Sequence, residues 1–330
     1  VDTYYCRAMS NFLAKKQFNF SLKLIYLLYK NTKNFDLIHI HEYRTINGTF
    51  AAYFAKMNRV PYIIQPHGSL STTVGMKRLK KMFDFAFGYK VLKNAAKVIA
   101  LNEIEFKEYE DRGIDSRKVC ILPNGIDISK YEVLPPKGIF KSKYKINDDE
   151  KIILFLGRIN KIKGINTLVE SFGNLSKQIC NLQLVIAGPD NNGFVTSLKK
   201  QVSDLKIEKR VLFTGPLYES DKLEAYVDAD VVVYPSYFEI FGLVPLEAIM
   251  CGTPVIVTDN CGCSKYITES ECGYLIKYGD AKDLETKIRL IIENNCKFSI
   301  AKKGKKYIQS NLAYYKIAKD LEATYEECIY

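Results

Sequence analysis

The chain has 330 residues, a formal net charge of +11 and 47% hydrophobic residues. That length predicts two domains, the composition is that of a globular protein, and no apolar run is long enough to span a bilayer. Nine cysteines without a Cys-x-x-Cys pair and three histidines without a Cys/His cluster argue against a disulfide scaffold or structural zinc. They fit reduced thiols in a cytoplasmic protein.

The charge is lopsided, with residues 1–133 carrying +9 and residues 134–330 only +2. The first part is therefore expected to meet an anionic partner or to be a well-solvated surface.

In chain order, residues 3–34 read as a short strand and then a basic amphipathic helix around 21–30. Buried strands follow at 35–41 and 61–66, with helix 46–57 between them. Segment 76–97 reads as one or two helices, and 97–101 and 118–122 as further strands. Pro123-Asn-Gly-Ile-Asp127 is a turn signal, and the polar sequence after it is a linker. A second strand set occupies 151–156, 182–187, 211–214, 231–234 and 254–258, alternating with helices near 165–176, 193–205 and 219–227. Helices at 282–293, 297–310 and 312–329 close the chain. This alternation predicts parallel, doubly wound sheets.

The most informative stretch is 234–252, YPSYFEIFGLVPLEAIMCG. A β-branched strand runs into a loop holding Glu239 and Gly242. A helix then begins near Pro245, which suits a first turn, and carries Glu247 to a glycine cap at Gly252. Ligands of open α/β sheets sit beyond the carboxyl ends of the strands. The free N–H groups of Phe241, Gly242, Leu243 and Val244 would form an anion site there. Glu247 could alternatively serve the helix dipole alone. After the first strand of the second half, Gly157-Arg158 and Lys163-Gly164 offer a fork and a point charge for phosphates, or two exposed loop cations. Neither a G-x-G-x-x-G fingerprint nor a Walker loop is present.

Together with His39-Ile-His41-Glu42, Pro66-His67-Gly68-Ser69, Ala187-Gly188-Pro189 and Pro235-Ser236, these motifs resemble glycosyltransferase family 4. The resemblance covers nearly the whole chain. It implies the GT-B fold, two Rossmann-like domains facing across a cleft: an acceptor-side domain at 1–133, a linker at 134–150, a donor domain at 151–311 and a helix at 312–330 crossing back to the first domain. The family's opening strand and glycine-bearing loop are not found after Val1, so the first domain is expected to be incomplete and activity of the chain as it stands is in question.

The resemblance also implies roles. Arg158 and Lys163 match the pair that grips and stabilises the donor diphosphate. Glu247 matches the ribose-binding residue, and Glu239 the residue on the transferred sugar. The amides of Phe241 to Val244 would touch sugar and phosphate. His67 matches a histidine facing the reacting sugar, while His39 and His41 are structural or a metal pair. The implied reaction transfers a sugar, of hexosyl type, from a nucleotide-sugar donor to a glycan or lipid-linked acceptor. It does so with retention of configuration, without a metal or other cofactor. Asp228-Ala-Asp230 looks like a metal-binding motif, but it lies at the wrong end of the sheet and reads as structural.

Segment 76–97 mixes seven Lys/Arg with apolar residues. It fits a helix on an anionic membrane surface at the inner face, or equally an ordinary surface helix. No nucleic-acid motif accompanies the charge. Two rival functions remain: a GT-B nucleotide-sugar epimerase, and a non-catalytic donor-binding or membrane-associated module.

Overall fold

A computed structural model describes residues 3–7, 21–72, 75–293 and 297–330. The chain divides into two compact units, Val1–Pro123 with Ile317–Tyr330, and Asn124–Lys316.

In the first unit β1 (Ile38–His41), β2 (Tyr62–Gln65), β3 (Lys97–Ala100) and β4 (Val119–Ile121) pair in parallel in that order. Ile63, Ile64, Val98 and Ile99 are fully buried, as strands covered on both faces require. Helix Ile46–Met57 starts at Thr45, whose hydroxyl accepts the Gly48 N–H. The last helix, Tyr314–Ile329, lays Ile317, Leu321, Tyr325 and Cys328 against Ile63, Ile99 and Leu122. Those four positions recur at helical spacing and form one apolar face. Residues 3–7 carry no strand, and the rest of the expected opening strand and its flank lies outside the described residues.

Segment 76–97 folds as helices Lys77–Phe83 and Tyr89–Asn94 around a single π turn, Asp84–Gly88. A Cβ at Gly88 would lie 2.3 Å from the Tyr43 hydroxyl, so the turn needs glycine. Lys97 belongs to β3.

The second unit holds β5 (Lys151–Leu156), β6 (Leu182–Ala187), β7 (Val211–Gly215), β8 (Val231–Tyr234), β9 (Val255–Thr258) and β10 (Gly273–Ile276). All pairs are parallel, in the order β10-β9-β8-β5-β6-β7. The chain winds outward from β5 to β7, then returns to β8 and winds the other way. The order therefore reverses between β5 and β8, where loops leaving neighbouring strands diverge and open a crevice. Strand β10, four residues led by glycine, and helix Ser264–Ser270, of seven residues, are too short to show a distinct sequence pattern.

Two boundaries differ from the sequence reading. Residues 124–133 cluster with the second unit: Ile126 bridges to Ala313, donating to Leu312 O at 2.7 Å. The segment read as linker contains helix Ile139–Tyr144, with Phe140 fully buried. Asp228 caps it, accepting the Gly138 and Lys141 N–H groups at 2.6 and 3.0 Å. Asp230 accepts the Ile152 N–H at 2.8 Å. Both aspartates of the Asp-x-Asp pattern thus serve backbone.

Candidate active site

The site is built on the two strands that flank the reversal. β5 ends at Gly157 (φ +149) and β6 at Gly188 (φ +148). A Cβ on Gly188 would lie 1.7 Å from Gly157 O, so the two strand ends abut as only glycine allows. A 3-10 turn, Lys161–Lys163, follows and stops at Gly164. Gly164 adopts φ +66, and a Cβ there would lie 2.0 Å from Pro235 O. This contact presses the turn against the end of β8. The Tyr237 N–H locks it by donating to Ile162 O at 2.7 Å.

Lys163 is carried by this turn into the interior, only 5% exposed. Its ammonium donates to the Tyr234 hydroxyl at 2.7 Å and to Glu239 Oε2, and lies 4.8 Å from the Tyr234 ring centre. The Tyr234 hydroxyl also donates to Glu239 Oε2, at 2.7 Å. Burial, and then the nearby Glu239 charge, push the phenol well above its ordinary range, so it stays a neutral donor. A buried ammonium is tolerated because carboxylate and phenol surround it. Arg158, one residue past Gly157, is exposed and makes no hydrogen bond or ion pair with a described residue.

Beyond Glu239 the chain turns at Gly242 (φ +84) into helix Leu243–Met250, which no side chain caps. A Cβ on Gly242 would lie 2.8 Å from Cys261 Sγ and 3.0 Å from Cys263 Sγ. The two thiols are themselves 3.4 Å apart and fully buried. The Gly262 N–H donates to Glu239 O at 2.8 Å, tying the loop to the turn after β9. The uncapped start leaves the Leu243 and Val244 N–H groups with the positive end of the helix dipole.

Glu247 is one turn further along. Lys222 Nζ donates to its Oε1 at 2.8 Å and the Tyr226 hydroxyl to its Oε2 at 2.9 Å. Tyr226 is fully buried, and burial followed by the carboxylate's charge holds its phenol far above the usual range. Glu247 lines a cavity of about 540 Å³ with Asp127, Lys130, Tyr131, Lys222 and Leu243. The Asn-Gly-Ile-Asp turn thus forms one wall of this cavity.

The predicted residues Arg158, Lys163, Glu239, Phe241 to Val244 and Glu247 therefore all stand on the loops after β5 and β8 or the helix that follows. His67 stands in the first unit, at the end of β2. Its Nε2 lies 2.8 Å from His41 Nδ1. The His39 ring stacks on His41 with centroids 4.1 Å apart, and His39 Nδ1 meets the Tyr325 hydroxyl at 2.7 Å. Burial lowers all three imidazole pKa values, that of His39 to about 4. Among the described residues no group of three or more His, Cys, Asp or Glu could hold a metal ion.

A family model described as Glycosyl transferases group 1 matches residues 137–311, and one described as Glycosyltransferase Family 4 matches residues 4–130. The chain belongs to glycosyltransferase family 4. The N,N'-diacetylbacillosaminyl-diphospho-undecaprenol alpha-1,3-N-acetylgalactosaminyltransferase of Campylobacter jejuni is 30% identical over 281 residues, 83% of this chain and 72% of that protein. The N-acetyl-alpha-D-glucosaminyl L-malate synthase of Bacillus anthracis is 26% identical over 303 residues, 90% of this chain and 76% of that one. Anabaena Alr3699/HepE, solved with UDP, superposes with a TM-score of 0.80 at 20% identity, over 92% of this chain and 81% of that one. The fold is GT-B, and as a family 4 member the chain is a glycosyltransferase.

Sequence reasoning missed Tyr234, Lys222 and Tyr226, the groups that hold the two glutamates of this family 4 chain. Tyr234 reads simply as the last residue of a buried strand. Lys222 and Tyr226 are four residues apart and so share a helix face, which was the one available signal.

Proposed function

We propose that the chain transfers a sugar, of hexosyl type, from a nucleotide-sugar donor, with retention of configuration and without a metal. The donor diphosphate would lie at the crevice between β5 and β8, against Arg158, Lys163 and the open amides of Phe241 to Val244. Glu247 would take the ribose hydroxyls, Glu239 the transferred sugar, and His67 a sugar hydroxyl. The observation that carries this reading is the buried Lys163–Tyr234–Glu239 cluster beside an uncapped helix start, with the unpaired Arg158 nearby. Such preorganised cations and dipoles stabilise the charge that develops on a leaving diphosphate. They also supply what a divalent cation would otherwise provide.

In the proposed step the bond from the sugar anomeric carbon to the donor phosphate oxygen breaks, and its electron pair leaves with the phosphate. The acceptor hydroxyl attacks from the same face, and its proton passes to that phosphate oxygen. No side chain is assigned as nucleophile, because Glu239 is engaged by Lys163 and Tyr234 and Glu247 by Lys222 and Tyr226. Complexes of Alr3699/HepE with UDP and with UDP-glucose support a uridine donor class as the first to try.

For the acceptor we infer a glycan presented at an anionic membrane surface. Met76, Leu79, Met82, Phe85, Phe87 and Tyr89 are all exposed, Phe85 by 85%. Lys77, Arg78, Lys81, Lys90 and Lys93 are exposed around them. The one acid of the segment, Asp84, is buried in a two-point pair with Arg44. Six exposed apolar side chains interleaved with five exposed cations suit a lipid interface, which accepts both sets. The Campylobacter relative, whose name carries a diphospho-undecaprenol-linked sugar, supports the same reading. Among the described residues no helix is long and apolar enough to cross a membrane, so peripheral attachment is proposed.

Calorimetry with UDP, GDP, ADP and their common sugar conjugates, with and without EDTA, tests the donor site. The expected result is binding of one nucleotide class, unaffected by EDTA and weakened in Glu247→Ala. A folded sample that binds none of them would overturn the proposal.

A further inference from the structure

The chain has three histidines in all, and they lie in one cluster. His41 ends β1, and His67 follows β2 by two residues. His67 has φ +50, a conformation costly for a residue with a Cβ. It is held there because the next N–H, that of Gly68, donates to Glu105 Oε1 at 2.9 Å. The other oxygen of this fully buried carboxylate accepts the Leu101 N–H at 2.9 Å. The strained backbone aims the His67 ring at His41, and the rings lie 5.1 Å apart at 18°.

A contact of 2.8 Å between His41 Nδ1 and His67 Nε2 holds one proton. Two neutral arrangements satisfy it. If His41 donates from Nδ1, both rings carry their proton on Nδ1, the less favoured tautomer of an imidazole. If His67 donates from Nε2, both rings carry it on Nε2, the favoured one. The second arrangement leaves His67 Nδ1 bare, and no described residue bonds to it.

We propose that His41 is a positioning residue that accepts the His67 Nε2–H, fixing His67 as a neutral ring whose bare Nδ1 accepts a sugar hydroxyl. This rests on the donor-site reading above, in which His67 contacts sugar. The groups facing the pair agree with a neutral state. His39 stacks on His41 and meets the Tyr325 hydroxyl, and Glu105 is committed to two backbone N–H groups. Burial lowers the pKa of both rings, and His41 lowers that of His67 further. The arrangement parallels other histidines whose second nitrogen is held by a neighbour to set the tautomer of the first.

The test is long-range proton–nitrogen correlation NMR of the unliganded, nitrogen-labelled protein near neutral pH. Each ring is assigned by one single-residue variant. The expected spectrum shows His67 in a single tautomer, protonated at Nε2 and bare at Nδ1. A mixed population, or a proton on Nδ1, would overturn the proposal. His41→Phe keeps a ring against His39 but removes the acceptor, and should return His67 to a mixed population. His41→Asn places an amide oxygen where Nδ1 was and should restore the single tautomer. With the donor found in the calorimetric panel, His41→Phe should lower kcat about ten- to a hundredfold with donor KM within about twofold, as for a small misplacement of a reacting group. His41→Asn should recover most of that loss, and equal losses in both variants would overturn the positioning role. A single bare-Nδ1 tautomer in a protein that binds no nucleotide would overturn the donor-site reading while leaving the pairing supported.

Discussion

The Lys163 ammonium is in hydrogen-bond contact with the Glu239 carboxylate, and both side chains are withdrawn from solvent, 6% and 21% exposed. Each charge is the other's principal compensation, so structure and chemistry are entangled at this pair. Lys163→Met should destabilise the fold by about 3 kcal/mol, since breaking a buried pair leaves an uncompensated charge. The double variant Lys163→Met/Glu239→Gln removes both charges and should recover most of the thermal stability. It should not recover donor binding. Recovery of both would mean that the pair is purely structural.

Glu247 tests the nucleoside end. Glu247→Gln keeps the shape but loses the charge shared with Lys222 and Tyr226. Hydrogen bonds to a charged group contribute about 1.5–3 kcal/mol, so nucleotide affinity should fall about ten- to a hundredfold. Calorimetry against UDP checks this, and unchanged affinity would remove Glu247 from the site.

Gly164 and Gly193 offer a matched pair of substitutions. Both have left-handed backbones, φ +66 and +72, but a Cβ on Gly193 meets nothing within 4 Å while one on Gly164 would strike Pro235 O. Gly193→Ala should cost about 1 kcal/mol, the ordinary cost of that conformation. Gly164→Ala should cost several times more, about 3 kcal/mol or above, because the turn must leave β8. It should also displace Lys163 and abolish donor binding. Chemical denaturation of both variants measures the difference.

His39 sets an acid limit on stability. Its folded pKa of about 4 lies below the model-peptide value of 6.5, mainly through burial. The unfolded chain therefore binds the proton first. Stability is fully present above pH 6.5, falls as the pH drops towards 4, and levels off below that, by at most about 3 kcal/mol. The melting temperature of wild type should decline through this window more steeply than that of His39→Gln.

Membrane attachment is checked by sedimentation with vesicles. Phosphatidylglycerol vesicles should carry the protein down, and phosphatidylcholine vesicles should not. Met82→Ser/Phe85→Ser should remain in solution at unchanged thermal stability, since both side chains are mostly exposed. Salt should weaken binding without abolishing it, because part of the attraction is apolar.

The strands were legible because runs such as Val231-Val232-Val233 and Ile152-Ile153-Leu154 are β-branched or apolar throughout, the mark of strands covered on both faces. The loop after β8 was legible because Glu239 has no local structural role at its position, and Gly242 and Glu247 follow it at the start of a helix that no side chain caps. What escaped was what depends on packing between distant elements. Tyr234 joins Lys163 only because Gly164 lets two turns touch, and nothing in either turn's own sequence announces the other. The helix at 139–144 was hidden because it has only six residues and its cap comes from Asp228, some ninety positions on. Strand β10 is four residues led by glycine, too short for any period to register.

The way the last helix completes the first unit has a consequence for biosynthesis. Ile63, Ile99 and Leu122 are covered by Ile317, Leu321 and Tyr325, side chains made only after all of residues 124–316. On the ribosome these three side chains must therefore wait for those partners while the entire second unit emerges. Domains made first usually fold first; here the amino-terminal unit is the later of the two to finish.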